Sequence, residues 1–152
     1  PQRDRIVDLI QEGVDQGATI LVDGRKHESC QQPGFYLGGT LFDNVRPGMS
    51  IYDEEIFGPV VTLHRFQSEE EAIGIANGTR YGLAGSVWTS DMEKGKRVSE
   101  SMETGMVWVN TWLHRDLRVP FGGVKDSGVG REGGRWSLGF FSEAMNVCLK
   151  HD

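Results

Sequence analysis

The runs Pro59-Val60-Val61-Thr62-Leu63-His64-Arg65-Phe66, Leu83-Ala84-Gly85-Ser86-Val87-Trp88-Thr89 and Met106-Val107-Trp108-Val109-Asn110 are rich in β-branched and apolar residues and of strand length. Two helical patterns lie between them. Ser68 with Glu71 is a capping box that opens a helix through Ala72, Ile73, Ile75 and Ala76 to the stop at Asn77-Gly78. Ser90 with Glu93 is a second, with Met92, Gly95, Val98 and Met102 as the apolar stripe and Gly105 as the stop. Residues 59 to 110 therefore spell β-α-β-α-β, and these connection lengths predict parallel neighbours joined by right-handed crossovers. The fold class is α/β.

Working outward, Ile6, Val7, Ile10 and Val14 form a helical stripe that ends at Gly17, and Ala18 to Val22 is a short apolar run of strand length. Residues 23 to 50 read as loop, punctuated by Gly24, Pro33, Gly34, Gly38, Gly39, Pro47 and Gly48, with Phe35, Tyr36, Leu37, Leu41 and Phe42 giving an extended ribbon at most. Thr111 to Gly130 is a long irregular stretch. Its Trp112, Leu113, Leu117, Val119 and Phe121 are too apolar for a solvated linker, and loops at the carboxyl ends of parallel strands are where such sheets bind ligands. A helix is predicted from Arg131 to near Ser142. Ala144 to Lys150 then alternates, with Met145, Val147 and Leu149 on one face. This terminal strand reads equally as an edge of the chain's own sheet or as an element that pairs with a neighbouring subunit.

Composition narrows the function classes. With 16 basic against 22 acidic residues in 152 and a net charge of -6, the chain lacks the basic surface that nucleic-acid binding needs. No apolar run approaches the roughly 18 residues of a membrane helix, and the polar N-terminus has no signal-peptide pattern, so a cytoplasmic location is expected. Cys30 and Cys148 are too few and too far apart for a disulfide framework or a metal knuckle, and His27, His64, His114 and His151 lack metal-ligand spacing, so no metal is expected. The sequence opens at Pro1 without an initiator methionine, which leads us to expect a piece of something longer.

Some signals are discounted. Gly128-Val129-Gly130-Arg131-Glu132-Gly133 matches a dinucleotide glycine fingerprint, but it follows no apolar strand, and a turn plus helix start is the better reading. Cys30 sits in a polar loop and reads as an incidental surface thiol, Cys148 as a small strand hydrophobe. Glu69-Glu70-Glu71 reads as a helix N-terminus exploiting the macrodipole.

Two runs carry candidate chemistry. In Asp53-Glu54-Glu55-Ile56-Phe57-Gly58-Pro59-Val60, carboxylates and an aromatic ring precede Gly-Pro, which stiffens the backbone that aims them; on spacing alone Glu54-Glu55 reads first as a solvated or capping pair. In Val119-Pro120-Phe121-Gly122-Gly123-Val124-Lys125 an aromatic ring is wedged between proline and two glycines, a turn that brings backbone close to a bound molecule. Neither run contains a nucleophile, and no catalytic residue is assigned in this chain.

Glu54-Glu55-Ile56-Phe57-Gly58-Pro59-Val60, then Ala76-Asn77 with Tyr81-Gly82-Leu83-Ala84, then Gly105-Met106-Val107-Trp108-Val109-Asn110, then Pro120 through Gly133 fall in the order and spacing of a known family. The chain resembles the C-terminal part of the NAD(P)-dependent aldehyde dehydrogenases. The resemblance implies that residues 1–143 belong to an incomplete catalytic domain and 144–152 to an oligomerisation strand, Ala144 to Lys150, of a homo-oligomer. It implies that Glu55 accepts hydrogen bonds from the nicotinamide-ribose hydroxyls and that Phe57 packs at the nicotinamide end, with NAD or NADP as cofactor. Asn110 resembles the position beside the substrate entrance and Phe121 the aromatic wall of the aldehyde tunnel. The implied reaction is thiolate attack on an aldehyde, hydride transfer to NAD(P)+ and thioester hydrolysis, with the Rossmann-type domain, general-base glutamate and nucleophilic cysteine supplied upstream.

The stretch Trp112 to Phe121 resembles the branch that oxidises 2-hydroxymuconate and 2-aminomuconate semialdehydes, substrates that carry a carboxylate. A guanidinium holds such a group with two parallel hydrogen bonds, so Arg115 first and Arg118 second are the candidate substrate-binding residues; a pair with Asp116 or a subunit contact is the structural alternative. A second function class is also open, a stand-alone binding or assembly module without enzymatic activity.

Overall fold

The computed structural model describes residues 2–151; Pro1 and Asp152, the outer ends of the two expected domains, lie outside the described residues. The chain forms two compact units, Pro1–Ile75 and Ala76–Asp152.

In the first unit, α1 (Gln2–Asp15) buries Ile6, Leu9, Ile10 and Gly13, and the chain leaves it through Gly17 at φ 94. Of the expected stripe Ile6 and Ile10 are buried while Val7 and Val14 are half-buried, and Leu9 and Gly13 complete the buried face. β1 (Thr19–Val22), β2 (Thr40–Asp43) and β3 (Val60–Thr62) form a three-stranded sheet in the order β1-β2-β3, with β1 antiparallel and β3 parallel to β2. β2 corrects the expectation of loop over 23 to 50. Gly38-Gly39 before it and the turn residues Asn44 to Gly48 after it mask its four residues, yet Thr40, Phe42 and Asp43 are buried at the centre of the sheet. Phe42 and Ile10, both fully buried, anchor a core shared with Ile6, Ala18, Val45 and Ile51, each of the two contributing about 1.5–3 kcal/mol by leaving water. A short helix α2 (Ser50–Asp53) lies just before the 54–59 run and buries Ile51. Cys30 ends in a 3-10 turn, where its thiol donates to the Gly24 carbonyl at 3.3 Å.

α3 (Glu69–Asn77) starts where expected, with Ser68 Oγ accepting the Glu71 amide at 3.1 Å. Glu71 reaches back one residue further than a capping box requires, accepting the Gln67 amide at 2.7 Å.

In the second unit, β5 (Ala84–Val87), α4 (Met92–Ser101) and β6 (Met106–Val109) make a β-α-β unit whose strands pair in parallel from Ala84↔Met106 to Val87↔Val109. β4 (Tyr81–Gly82) pairs antiparallel with β7 (Val124–Lys125), and α5 (Gly134–Phe140) follows. The three parallel strands expected over 59 to 110 are therefore realised as two parallel pairs, β2–β3 and β5–β6. The second cap is Asp91 rather than Ser90: the Asp91 carboxylate accepts the Lys94 amide at 3.0 Å, and its reach makes it the better acceptor. Of the predicted α4 stripe Gly95 is buried and Met92 is exposed. The final helix is shorter than the predicted 131-to-142 span, because Glu132 pairs with Phe121 in a bridge instead. Residues 144–150 are exposed and join none of the three sheets, so the reading of this segment as an edge of the chain's own sheet is not realised; Cys148 is exposed with them.

Candidate functional site

In the first unit the run that follows α2 carries Glu55 and Phe57. Phe57 adopts φ 53, a left-handed conformation that costs an L-residue roughly 1–2 kcal/mol, and its ring is 78% exposed. A strained, bulky residue that leaves its ring in solvent is held for some reason other than packing. The holders are on α1. Arg5 donates Nη2 to the Glu55 carbonyl and Nη1 to the Ile56 carbonyl, each at 3.1 Å, while Gln2 Nε2 donates to the Phe57 carbonyl at 3.3 Å and the Ile56 carbonyl at 3.4 Å. Gly58 completes the arrangement, since a Cβ there would come within 2.6 Å of Ile6 Cδ1. The backbone of 55–57 is thus tied down, whereas the Glu55 carboxylate has no partner among the described residues.

Gln2 and Arg5 are the residues that sequence reading missed. They are polar positions on an exposed helix face, remote in sequence from the loop they hold, and nothing in the pattern marks them apart from ordinary solvated side chains.

In the second unit Asn110 ends β6 at φ 55 with its side-chain amide fully engaged: Oδ1 accepts the Thr89 amide at 2.8 Å and Nδ2 donates to the Thr89 carbonyl at 2.7 Å. The side chain acts as a clamp between the ends of β5 and β6. The loop beyond it is anchored by the buried Trp108, whose indole Nε1 donates to the His114 carbonyl at 2.8 Å and whose ring meets that of Trp112 edge-on at 5.0 Å. That bond fixes the residue immediately before Arg115.

Arg115 and Phe121 come together. The guanidinium lies over the Phe121 ring, 4.0 Å from its centroid, and Nη2 contacts Glu132 Oε1 at 3.3 Å. Glu132 and Phe121 are joined in turn by a pair of backbone hydrogen bonds of 2.9 and 2.8 Å. Arg115, Phe121 and Glu132 line a cavity of about 290 Å³ together with Leu117, Val119 and Ser137. An aromatic face and a guanidinium in one cavity suit a flat, negatively charged molecule.

Arg118 behaves differently. Its Nε bridges both Asp116 oxygens at 2.9 and 3.0 Å, and its side chain is 88% exposed. Asp116 is held below its ordinary value of 3.8, first by the Arg118 side-chain hydrogen bond and then by the Arg118 amide. The structural alternative, pairing with Asp116, is realised for Arg118 but not for Arg115.

The model for the aldehyde dehydrogenase family matches residues 1–147. The chain is 41% identical over 150 residues to the 2-hydroxymuconic semialdehyde dehydrogenase of Pseudomonas sp. (strain CF600), covering 97% of this chain and 31% of that protein. It is 43% identical over 152 residues to a 2-aminomuconic 6-semialdehyde dehydrogenase of Pseudomonas sp, covering 99% of this chain and 31% of that one. Among solved structures, that of the Mycobacterium tuberculosis aldehyde dehydrogenase complexed with NAD+ superposes with a TM-score of 0.87 at 42% identity, over 93% of this chain and 29% of the other. The chain thus spans 31% of the length of these two curated relatives.

Proposed function

The chain belongs to the aldehyde dehydrogenase family, and we propose that it is the nicotinamide-gripping and substrate-reading portion of an enzyme that oxidises a carboxylated semialdehyde to the acid with NAD(P)+. The observation that carries the substrate class is Arg115 stacked 4.0 Å from the Phe121 centroid, with one contact at 3.3 Å on its guanidinium. A planar fork so placed has N–H donors to spare for a substrate carboxylate. The 41% and 43% identities to dehydrogenases of muconic semialdehydes support the same class.

The residues present fit a nicotinamide nucleotide. Glu55 is an acceptor without a partner among the described residues, and Phe57 is an exposed ring on a pinned backbone. In this reading Glu55 accepts the ribose hydroxyls and Phe57 limits where the flat ring lies, so that reaction begins from a near-attack arrangement. The bound NAD(P)+ supplies hydride acceptance. Arg115 orients the substrate by its distal carboxylate, Phe121 walls its path, and Asn110 keeps the loop rigid through Thr89. Arg118, spent on Asp116, stabilises the loop and ranks second as a substrate contact. The reading also includes a cytoplasmic enzyme that assembles with further copies through Ala144 to Lys150; no described helix is long and apolar enough to cross a membrane.

Steady-state kinetics of Arg115→Ala in the complete enzyme test the substrate class. KM for a carboxylated semialdehyde is expected to rise by about 10- to 100-fold, the equivalent of a lost charge-assisted pair, with KM for a neutral aldehyde changed far less. Equal changes for both aldehydes would remove the proposal.

A further inference from the structure

α1 does more than pack. Its contribution to the core is made by Ile6, Leu9, Ile10 and Gly13, whereas Gln2 and Arg5 are exposed and send their side chains to the carbonyls of Glu55, Ile56 and Phe57. A regular pleated strand turns successive carbonyls to opposite sides, and the positive φ of Phe57 is where this run departs from that geometry. The Arg5 fork meets two consecutive carbonyls with two separate nitrogens held in one plane, each at 3.1 Å, and Gln2 reaches the third.

We infer that Arg5, supported by Gln2, is a positioning residue for the nicotinamide: it holds the 55–57 backbone in the left-handed turn that presents Phe57, and so makes cofactor affinity depend on α1. The inference rests on the reading of Glu55 and Phe57 as nicotinamide-end residues. Arg5 acts through the loop, so its influence on the cofactor passes through the ring it aims. Replacing Arg5 releases two carbonyls at once and lets Phe57 relax to negative φ. Replacing Gln2 releases the weaker pair of contacts, at 3.3 and 3.4 Å, and has the smaller effect.

A double-mutant cycle on NAD+ binding in the complete enzyme is the test, with Arg5→Ala, Phe57→Ala, the double variant and Arg5→Lys. Arg5→Ala is expected to weaken NAD+ binding about tenfold and leave KM for the aldehyde unchanged. In the Phe57→Ala background the same change is expected to have less than about a twofold effect, because the ring it would misplace is gone. Arg5→Lys, which keeps a donor and preserves charge should the alanine variant fold poorly, recovers part of the affinity. Effects that multiply in the double variant would mean that Arg5 meets the cofactor independently of the ring, and would overturn the inference. A normal NAD+ affinity in Arg5→Ala beside a weakened one in Phe57→Ala would overturn it while sparing the reading of the loop. Normal affinity in Phe57→Ala would sink both.

Discussion

The loop at 55–57 and the loop at 111–133 are built in opposite ways. The first is held from outside: a helix distant in sequence supplies the donors for its carbonyls, and the Glu55 carboxylate is left without a partner among the described residues. The second is tied to β4 through β7, but around its arginines it is held by its own residues. Phe121 pairs with Glu132, Arg118 with Asp116, Arg115 with Glu132, and Trp108 closes on His114 within a few residues. An externally held loop can present a bare charge to a ligand because its shape does not depend on that charge. A self-held loop commits its charges to its own shape, Arg118 to Asp116 in a two-oxygen pair and Arg115 to Glu132 by one contact at 3.3 Å.

The glycines offer the sharpest way to break the comparison. A Cβ on Gly105 would overlap the Gly122 carbonyl, a backbone atom, whereas one on Gly58 would meet only side-chain atoms of Ile6, which can shift by rotation. Gly105→Ala is expected to destabilise by roughly 3 kcal/mol or more and Gly58→Ala by clearly less, as read by denaturant melts. Equal costs would mean that the second unit yields as easily as the first.

Phe57→Gly should sharpen it. Removing an exposed ring from a left-handed residue relieves roughly 1–2 kcal/mol of strain, offset by the added freedom of the unfolded chain, so thermal stability is expected to hold or rise slightly. NAD+ affinity is expected to fall in the same variant. A large loss of stability would show that the ring is structural and not held out for a ligand.

The smallest effect concerns Asp116. Its folded pKa lies below the ordinary 3.8, so the stabilisation from the Arg118 pair is present above 3.8 and is lost as pH falls through the depressed folded value. Asp116→Asn is therefore expected to lower the melting temperature slightly at neutral pH, with the gap to the unmodified protein closing in acid. A gap that widened on acidification would contradict the pairing.

Much of this was legible in residue patterns, for identifiable reasons. α1 shows its 3.6-residue stripe because one face meets a core, and the Ser68 cap shows because side-chain capping is local chemistry. β2 is hidden because four residues between Gly39 and the turn residues from Asn44 carry too little period to register, and only pairing with β1 and β3 makes Phe42 the centre of a core. The same division runs through the site. Glu55 and Phe57 stand in a distinctive run, whereas Gln2 and Arg5, which shape it, look like any solvated helix face. Arg115 and Arg118 flank the same aspartate, and their different roles follow from geometry: the Trp108–His114 bond fixes the backbone before Arg115, and Asp116 takes Arg118.

The central claim is that the 55–57 loop grips the nicotinamide ribose through one unshared carboxylate. Equilibrium NAD+ binding by the complete enzyme carrying Glu55→Gln measures it most directly, since the change keeps size while removing the charge and one of the two acceptor oxygens. Affinity is expected to fall by about 10- to 100-fold without loss of thermal stability, the worth of one to two charge-assisted hydrogen bonds. NAD+ binding unchanged from the unmodified enzyme would contradict the account.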